Sequence, residues 1–363
     1  MRGVRIDYDD STWDFWRFFV GEAARPFSDD IESADLPASA GDRELALLAA
    51  RGGAKMLKLQ GSPVTDDGLA NLRSMDRLTG LFSFGAPITD AGLSNLHGLE
   101  RLRCLNLNQS AVTPAGVIEL VKTLPNLELI GLSGCKIDDS VLASLSGRDR
   151  LEFVNVSLTN VTDAGLAHLS SLPSLRHLNL LGTSISDQGI AQLHNLVELR
   201  RLNLSNTGIT DDGLERLSSL RQLELLRLDG TKVTGAGLRV LRDQELSELG
   251  LNKTAVNDAA MVEIGRFGSL TSLELVATSI TDAGLPALAG LTNLEYLMLD
   301  GTAITDAGLK SLESLTNLRM LYVRRTGVTK PGIRRLETAL KAAKQHIADI
   351  PGANMPPTLA VIP

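Results

Sequence analysis

The side chains best suited to nucleophilic or metal chemistry in this 363-residue chain are two cysteines and five histidines. A thiol and an imidazole form a catalytic pair only within hydrogen-bond reach, about 3 Å. Cys104 and His177 occupy equivalent positions in a repeating sequence unit, three units apart. If equivalent residues lie on neighbouring parallel strands about 4.8 Å apart, roughly 14 Å separates their backbones. We therefore predict that they do not act as a pair.

The other histidines of the repeats offer no convergent site either. His97 and His194 are equivalent but four units apart, and His168 also falls in the second half of its unit. The sequence has no C-x-x-C or H-x-x-x-H spacing and no phosphate-binding G-x-x-x-x-G-K-[ST] loop. We predict no catalytic residue, no metal and no cofactor. An enzyme remains the alternative from another class, and chemical groups clustered on neighbouring repeats would support it.

These residues are positioned by one phrase that recurs along the chain. "TSITDAGLPALAGLTNLEYL" at 278–297 is followed by "TAITDAGLKSLESLTNLRML" at 302–321. Nine of the eleven intervals between equivalent apolar residues are 24 residues, one is 25 and one is 23. Such a period predicts a repeat architecture. The twelve anchors are Val64, Ile88, Val112, Ile137, Val161, Ile185, Ile209, Val233, Val256, Ile280, Ile304 and Val328.

Each unit contains one short strand and one helical segment. In the unit of residues 294–315, the alternation around Leu297 and Leu299 predicts a strand, and leucines every third residue after Thr305 predict a helix or helical turn. Thr305 or Asp306 is expected to cap that helix. Because one strand and one helix cannot bury their apolar faces alone, the units must stack into one continuous core.

This pattern resembles the leucine-rich repeats, specifically the helical repeats of the ribonuclease-inhibitor-like and F-box-associated type, in bacterial-type 24-residue units. The resemblance covers roughly residues 41–340. It implies an α/β horseshoe solenoid of about twelve repeats plus caps, with a parallel β-sheet on the concave face and helices on the convex face. Where many such repeats place Asn or Cys after the strand, this chain mostly has Thr, whose hydroxyl is expected to satisfy backbone groups of the turn.

The chain ends differ from the repeats. Residues 1–41 form an aromatic-rich N-terminal region, residues 42–330 the solenoid, residues 331–349 a capping helix and residues 350–363 a Pro-rich tail expected to be irregular. Seven of the thirteen aromatic residues lie in the first 27 positions. They either cap the first repeat or dock a partner. These seven are Tyr8, Trp13, Phe15, Trp16, Phe18, Phe19 and Phe27.

Composition narrows the classes of partner. The formal net charge of −7 and the absence of a basic block argue against nucleic acid. Two cysteines fit a reducing compartment rather than a disulfide scaffold. No apolar run is long enough to span a bilayer, and the opening "MRGVRIDYDDS" has no apolar core of a signal peptide. We therefore expect a cytoplasmic monomer that contacts neither membrane nor nucleic acid.

The concave strand face is the surface left for binding. Aromatic, Met and Arg side chains are typical anchors of binding sites, so we predict that this face binds a protein or peptide. The alternative within this class is an adaptor that recruits a second protein through its aromatic N-terminus. The first candidate patch is Tyr296, Met298, Asp300, Tyr322 and Arg324, and the second is Arg201, Arg227 and His177.

Overall fold

The computed structural model describes residues 33–51, 53–59, 61–348 and 359–362. Within them, fourteen three-residue strands form one parallel sheet in sequential order. The strands are β1 (Ser33–Asp35), β2 (Met56–Lys58), β3 (Gly80–Phe82), β4 (Cys104–Asn106), β5 (Leu129–Gly131), β6 (Phe153–Asn155), β7 (His177–Asn179), β8 (Arg201–Asn203), β9 (Leu225–Arg227), β10 (Glu248–Gly250), β11 (Ser272–Glu274), β12 (Tyr296–Met298), β13 (Met320–Tyr322) and β14 (Ala360–Ile362).

The opposite face of the sheet carries short helices. The α-helices are α1 (Asp42–Ala50), α2 (Asp66–Leu69), α3 (Asp90–Leu93), α4 (Pro114–Lys122), α5 (Asp139–Leu145), α6 (Asp163–Leu169), α7 (Asp187–Ile190), α8 (Asp211–Glu215), α9 (Asp258–Ile264), α10 (Asp306–Leu309) and α11 (Lys330–Ala348). Turns of 3₁₀-helix extend or replace them at Ala70–Ser74, Ser94–Leu96, Ala191–Asn195, Arg216–Ser219, Ala236–Leu241, Leu285–Gly290 and Lys310–Leu312. The predicted α/β leucine-rich solenoid is confirmed.

The core lies between the sheet and the helices. Leu273, Leu297 and Leu321 are aligned on neighbouring strands, each 24 residues from the next. The middle residue of every strand from β2 to β13 is Leu, Ile or Val and is at most 1% exposed. Because successive strand residues point to opposite faces, the first and third residues of each strand face the concave side.

A carboxylate joins neighbouring repeats at the start of each helix. In nine of the interfaces between repeats, the Asp that opens one helix accepts hydrogen bonds from the backbone N–H and the hydroxyl of the Thr or Ser in the next repeat. The N–Oδ1 distances are 2.7–2.9 Å. The Thr hydroxyl therefore links two repeats as well as capping its own helix, which the sequence did not predict.

The same carboxylate explains the glycine of the "DAGL" phrase. At nine of these glycines, an added Cβ would collide with Oδ1 of the Asp in the preceding repeat. Two repeats carry Val141 and Ala260 in place of this glycine, and the preceding repeats have Pro114 and Gly235 where the Asp normally stands. Glycine is thus dispensed with where the carboxylate is missing. These two interfaces are also those with intervals of 25 and 23 residues.

The turn that follows each strand has a fixed conformation. One residue per repeat has φ between 54° and 71°, and six of these twelve residues are not glycine, including Leu158 and Ala277. Two residues after this turn position begins the next apolar anchor, preceded by the Thr column. Its hydroxyls donate to the carbonyl three residues earlier, as Thr278 does to Leu275 at 2.7 Å. The predicted structural role of this column is confirmed.

Both ends of the sheet carry a strand from outside the repeats. Ser33–Asp35 pairs with β2, and Ala360–Ile362 pairs with β13. The tail 350–363, expected to be irregular, therefore contains a strand, because the edge of β13 offers unpaired backbone groups that a short β-branched segment can satisfy. The helix predicted at 331–349 lies at Lys330–Ala348. The seven N-terminal aromatic residues lie outside the described residues.

Candidate functional site

The early and middle concave face is closed to solvent at the positions that should be most open. Phe82, Cys104, Leu129 and Phe153 form an apolar cluster separate from the main core, and the last three are 2–4% exposed. Cross-strand register places them side by side on β3 to β6. We name these four residues with His177, the equivalent residue of β7, the early concave strip.

His177 ends this strip and is not available as a charged contact. Its side chain is 6% exposed, and its ring centroid lies 5.8 Å from that of Phe153. Burial lowers the pKa of His177 to about 3, with the charges of Arg201 and Arg176 acting in the same direction. The imidazole is therefore neutral at physiological pH. Its Nδ1 atom has no hydrogen-bond partner among the described residues.

The asparagines beside the strip stabilise the strand ends. Oδ1 of Asn155 accepts from the backbone N–H of Ser157 at 3.1 Å, and Oδ1 of Asn203 accepts from that of Ser205 at 3.0 Å. Both asparagines are 2–3% exposed. These amides satisfy backbone donors of the turn that follows each strand. The amide-rich centre of the concave face is therefore mainly structural.

Arg227 is held by carboxylates on its own and a distant strand. Its guanidinium lies 2.9 Å from Glu274 and 3.8 Å from Asp229. Glu274 is two strands away, and Arg227 reaches it because Gly250, between them on β10, has no side chain. Asn252 donates to Glu274 at 2.7 Å. Arg227, expected to be a partner contact, is thus part of an internal polar network.

Glu248 gives this network a titratable group near neutral pH. Burial raises the pKa of Glu248 to about 7, although the charges of Arg227 and Arg201 oppose that rise. Burial likewise raises the pKa of Asp229, again against the attraction of Arg227. Several carboxylates around few guanidiniums resist full ionisation together. The electrostatic state of the middle concave face therefore changes around pH 7.

The other arginines of the basic strip pair between repeats. Arg200 lies 2.5 Å from Glu224, and Arg176 lies 3.5 Å from Glu152. Such half-exposed pairs contribute at most about 1 kcal/mol each. Arg201, on the strand itself, is half-buried. It lies four strands from Tyr296, roughly 19 Å by strand spacing, so the two candidate patches are separate surfaces.

The late concave face differs in being accessible. Register brings Tyr296 beside Met320 and Met298 beside Tyr322. All four side chains are half-buried, and Arg324 is exposed. The Tyr322 hydroxyl lies 3.9 Å from the Met320 sulfur. We name Tyr296, Met298, Met320 and Tyr322 with Asp300 and Arg324 the late concave patch.

Two features of the late concave patch were not foreseen. Oδ1 of Asp300 accepts from the backbone N–H of Arg324 at 2.6 Å, so one oxygen of this carboxylate links β12 and β13 rather than facing a partner. Ile362 of β14 pairs with Tyr322, which extends the patch by one strand. The only sequence signal for this strand is the β-branched pair Val361 and Ile362 in an otherwise Pro-rich tail.

The described residues bring no nucleophile together with a base. Cys104 is 4% exposed, and burial raises the pKa of its thiol to about 12. Cys135 is 3% exposed and donates to the carbonyl of Leu107 at 3.1 Å. Within the described ranges, no three His, Cys, Asp or Glu side chains lie close enough to hold a metal ion. The same part of the chain has no helix that is long and apolar enough to cross a membrane.

Comparison with known proteins agrees with the fold. The family model described as "Leucine Rich repeat" matches residues 199–218 and 290–312. The crystal structure of an internalin (inlF) from Listeria monocytogenes superposes with a TM-score of 0.56 at 25% identity, covering 73% of this chain and 79% of that one. A TDR receptor structure superposes with a TM-score of 0.51 at 14% identity, covering 81% of this chain and 56% of that one. No curated protein matches significantly.

These similarities and the stacked strands define the class. The protein is a leucine-rich repeat protein. It spans little more than half of the TDR receptor structure that it resembles. Leucine-rich repeat solenoids commonly serve as interaction modules, and fold alone does not name the partner.

Proposed function

We propose that this protein is a non-enzymatic interaction module that binds a protein or peptide through its concave face, with the late concave patch as the contact site. The observation that carries the proposal is the accessibility of Tyr296, Met298 and Tyr322 on adjoining strands, while most equivalent side chains of β4 to β9 are buried. Large side chains with few rotatable bonds, held on a rigid sheet, lose little entropy on binding.

The composition of the patch specifies the chemistry of its partner. Two tyrosines and two methionines offer apolar contact, and the phenolic hydroxyls add hydrogen bonds at the edge of that surface. Arg324, exposed beside them, is suited to a carboxylate. The partner therefore presents apolar side chains next to an acidic group. Neither a nucleic acid nor a membrane surface has this chemistry.

The remaining finer assignments belong to the same proposal. We infer a cytoplasmic monomer of bacterial type, because both cysteines are free and buried and an internalin shares the fold. We also infer repeats of the helical, ribonuclease-inhibitor-like type. The seven- to nine-residue helices α4, α5, α6 and α9 support this subtype. The four-residue helices elsewhere are shorter than that type leads one to expect.

The test compares the intact protein with a triple variant, Tyr296→Ala, Tyr322→Ala and Arg324→Glu, in affinity capture from native lysate followed by mass spectrometry. Val262→Ala is the matched control, because Val262 is 56% exposed on helix α9, on the opposite side of the sheet. All three proteins must first show equal melting temperatures. The expected result is a protein captured by the intact chain and the control but lost by the triple variant.

Binding of that protein is then measured with purified components. Truncation of anchor residues typically costs about 2 kcal/mol or more each, so the triple variant should bind at least about 100-fold more weakly. If the triple variant captures the same proteins with the same affinity, the late concave patch is not the contact site. Arg201 and the N-terminal region would then be the surfaces to test.

A further inference from the structure

The early concave strip is more deeply buried than its position in the sheet explains. Cys104, Leu129 and Phe153 point away from the helices, yet they are only 2–4% exposed. The equivalent residues of the late strands, Ser272 and Tyr296, keep intermediate exposure although their strand neighbours lie at the same spacing. Lateral packing between strands is common to both groups, so it does not account for the difference.

No described helix or strand lies over this part of the sheet. The described strands form a single layer in which each contacts the next, and the helices pack on the opposite side. A phenylalanine on an open concave face would retain a substantial exposed area, and burial of such an area needs a second layer. The strip therefore has the properties of an interface whose other half lies beyond the described residues.

We propose that residues 1–32 of this chain supply that second layer, with the aromatic run 13–19 packed along the early concave strip. This run, "WDFWRFF", has five aromatic residues among seven. The strip itself is uncharged from β3 to β7 at both outward positions of each strand, so it matches an aromatic occupant better than a charged one. Burial of aromatic area on both sides provides the driving force.

Length and reach agree with this placement. The strip crosses five strands, about 19 Å from β3 to β7 at 4.8 Å per step, and seven extended residues span about 23 Å. The connection to β1 must bridge six strand spacings, about 29 Å. The fourteen residues from 19 to 33 extend up to about 46 Å. The segment can therefore cover the strip without disturbing the pairing of β1 with β2.

The consequence is a concave face divided into two parts. Its early half is occupied by the chain itself, and its late half, with Tyr296 and Tyr322, stays open. The inference is independent of whether the late concave patch binds a partner. It also differs from a cap over the first repeat, which would place the aromatic run against α1 and β2 rather than against β4 to β7.

The first test uses tryptophan fluorescence of the full chain, because Trp13 and Trp16 are its only tryptophans. In the intact protein we expect blue-shifted emission and protection from iodide quenching. The variant Leu129→Ser/Phe153→Ser alters the strip and leaves the main core intact, since these residues belong to the separate concave cluster. It should show red-shifted emission and a quenching constant close to that of the urea-unfolded chain.

The matched control is Tyr296→Ser, at the same strand position on β12, which should leave emission and quenching unchanged. Two outcomes would overturn the proposal. Tryptophans already exposed in the intact protein would mean that residues 13–19 are free to dock a partner. Emission unchanged in the Leu129→Ser/Phe153→Ser variant would mean that they lie elsewhere, as in a cap over the first repeat.

A second measurement does not depend on the folding of a variant with an altered sheet. A photo-crosslinking amino acid replaces Phe18 in the full chain, and the adducts are mapped by mass spectrometry after irradiation of the monomer. Adducts on β4 to β7 are expected. Adducts confined to α1 and β2, or adducts only between two chains, would contradict the proposal.

Discussion

The contact between Asp258 and Gly284 allows a quantitative test of what couples neighbouring repeats. Oδ1 of Asp258 accepts from the Thr281 backbone N–H at 2.8 Å, and Oδ2 accepts from the Thr281 hydroxyl at 2.6 Å. A Cβ added at Gly284 would lie 2.5 Å from Oδ1. Gly284→Ala must therefore displace the carboxylate from both hydrogen bonds, or push the two repeats apart.

The expected free energies follow from these contacts. Overpacking of this kind costs about 1–3 kcal/mol. Asp258→Ala removes two hydrogen bonds to a charged group, nominally about 1.5–3 kcal/mol each, and partial exposure reduces the total to about 2–4 kcal/mol. In the double variant there is no carboxylate to collide with. Its cost should therefore equal that of Asp258→Ala alone, about 1–3 kcal/mol less than the sum of the single variants.

The assay is equilibrium urea unfolding of the two single variants and the double variant, followed by far-UV circular dichroism. Gly290→Ala is the matched control, because an added Cβ there has no atom within 4 Å. Its cost should simply add to that of Asp258→Ala. If the cost of the Gly284→Ala/Asp258→Ala variant is also the plain sum, the carboxylate does not impose the glycine. The co-occurrence of Pro114 with Val141 in this chain would then need another explanation.

Three further predictions concern the concave face and the turns. Glu248→Gln should raise the free energy of unfolding by up to about 3 kcal/mol at pH 8 and have little effect at pH 4.5, because the folded pKa of about 7 lies above the unfolded value of 4.5 and stability falls as pH rises between them; melting temperatures across pH 4–9 check this, and a pH-independent effect would contradict it. Gly85→Ala should cost about 1–2 kcal/mol and Ala277→Gly should gain up to about 1 kcal/mol, because both positions have left-handed φ and the site at residue 85 has open space; chemical denaturation measures both, and equal signs would refute the conformational reasoning. The Cys104 thiol, with its pKa raised to about 12, should react with a disulfide reagent only as fast as the protein opens, and rapid labelling of the native protein would show that the early concave strip is accessible.

The fold was predictable because its information is local and repeated. Each unit states its strand by alternation and its helix by leucines every third residue, and stacking of equal units has one efficient solution. The hydroxyl of Thr278 bonds to a carbonyl three residues away, so its role follows from sequence spacing alone. The tail strand Ala360–Ile362 escaped prediction because it has no repeat signal and forms only against the edge of β13.

The candidate site was predictable as a set of columns but not as a set of accessible groups. Sequence spacing correctly placed Tyr296 and Tyr322 on the concave side of neighbouring strands. It also placed His177 and Arg227 there, without showing that the first is buried and neutral and that the second is engaged with Glu274. The reach of Arg227 across Gly250 depends on two strands that lie 47 residues apart in sequence.

The sequence by itself determined the period, the inward leucines and the turn chemistry, because each depends on residues within one unit or at one fixed spacing. Only the tertiary structure decided which outward side chains meet solvent, where Asp258 meets Gly284 and how far a carboxylate's pKa moves. Those properties depend on the distance and the dielectric between residues of different repeats. A repeating sequence fixes the distances between repeats only after the units have stacked.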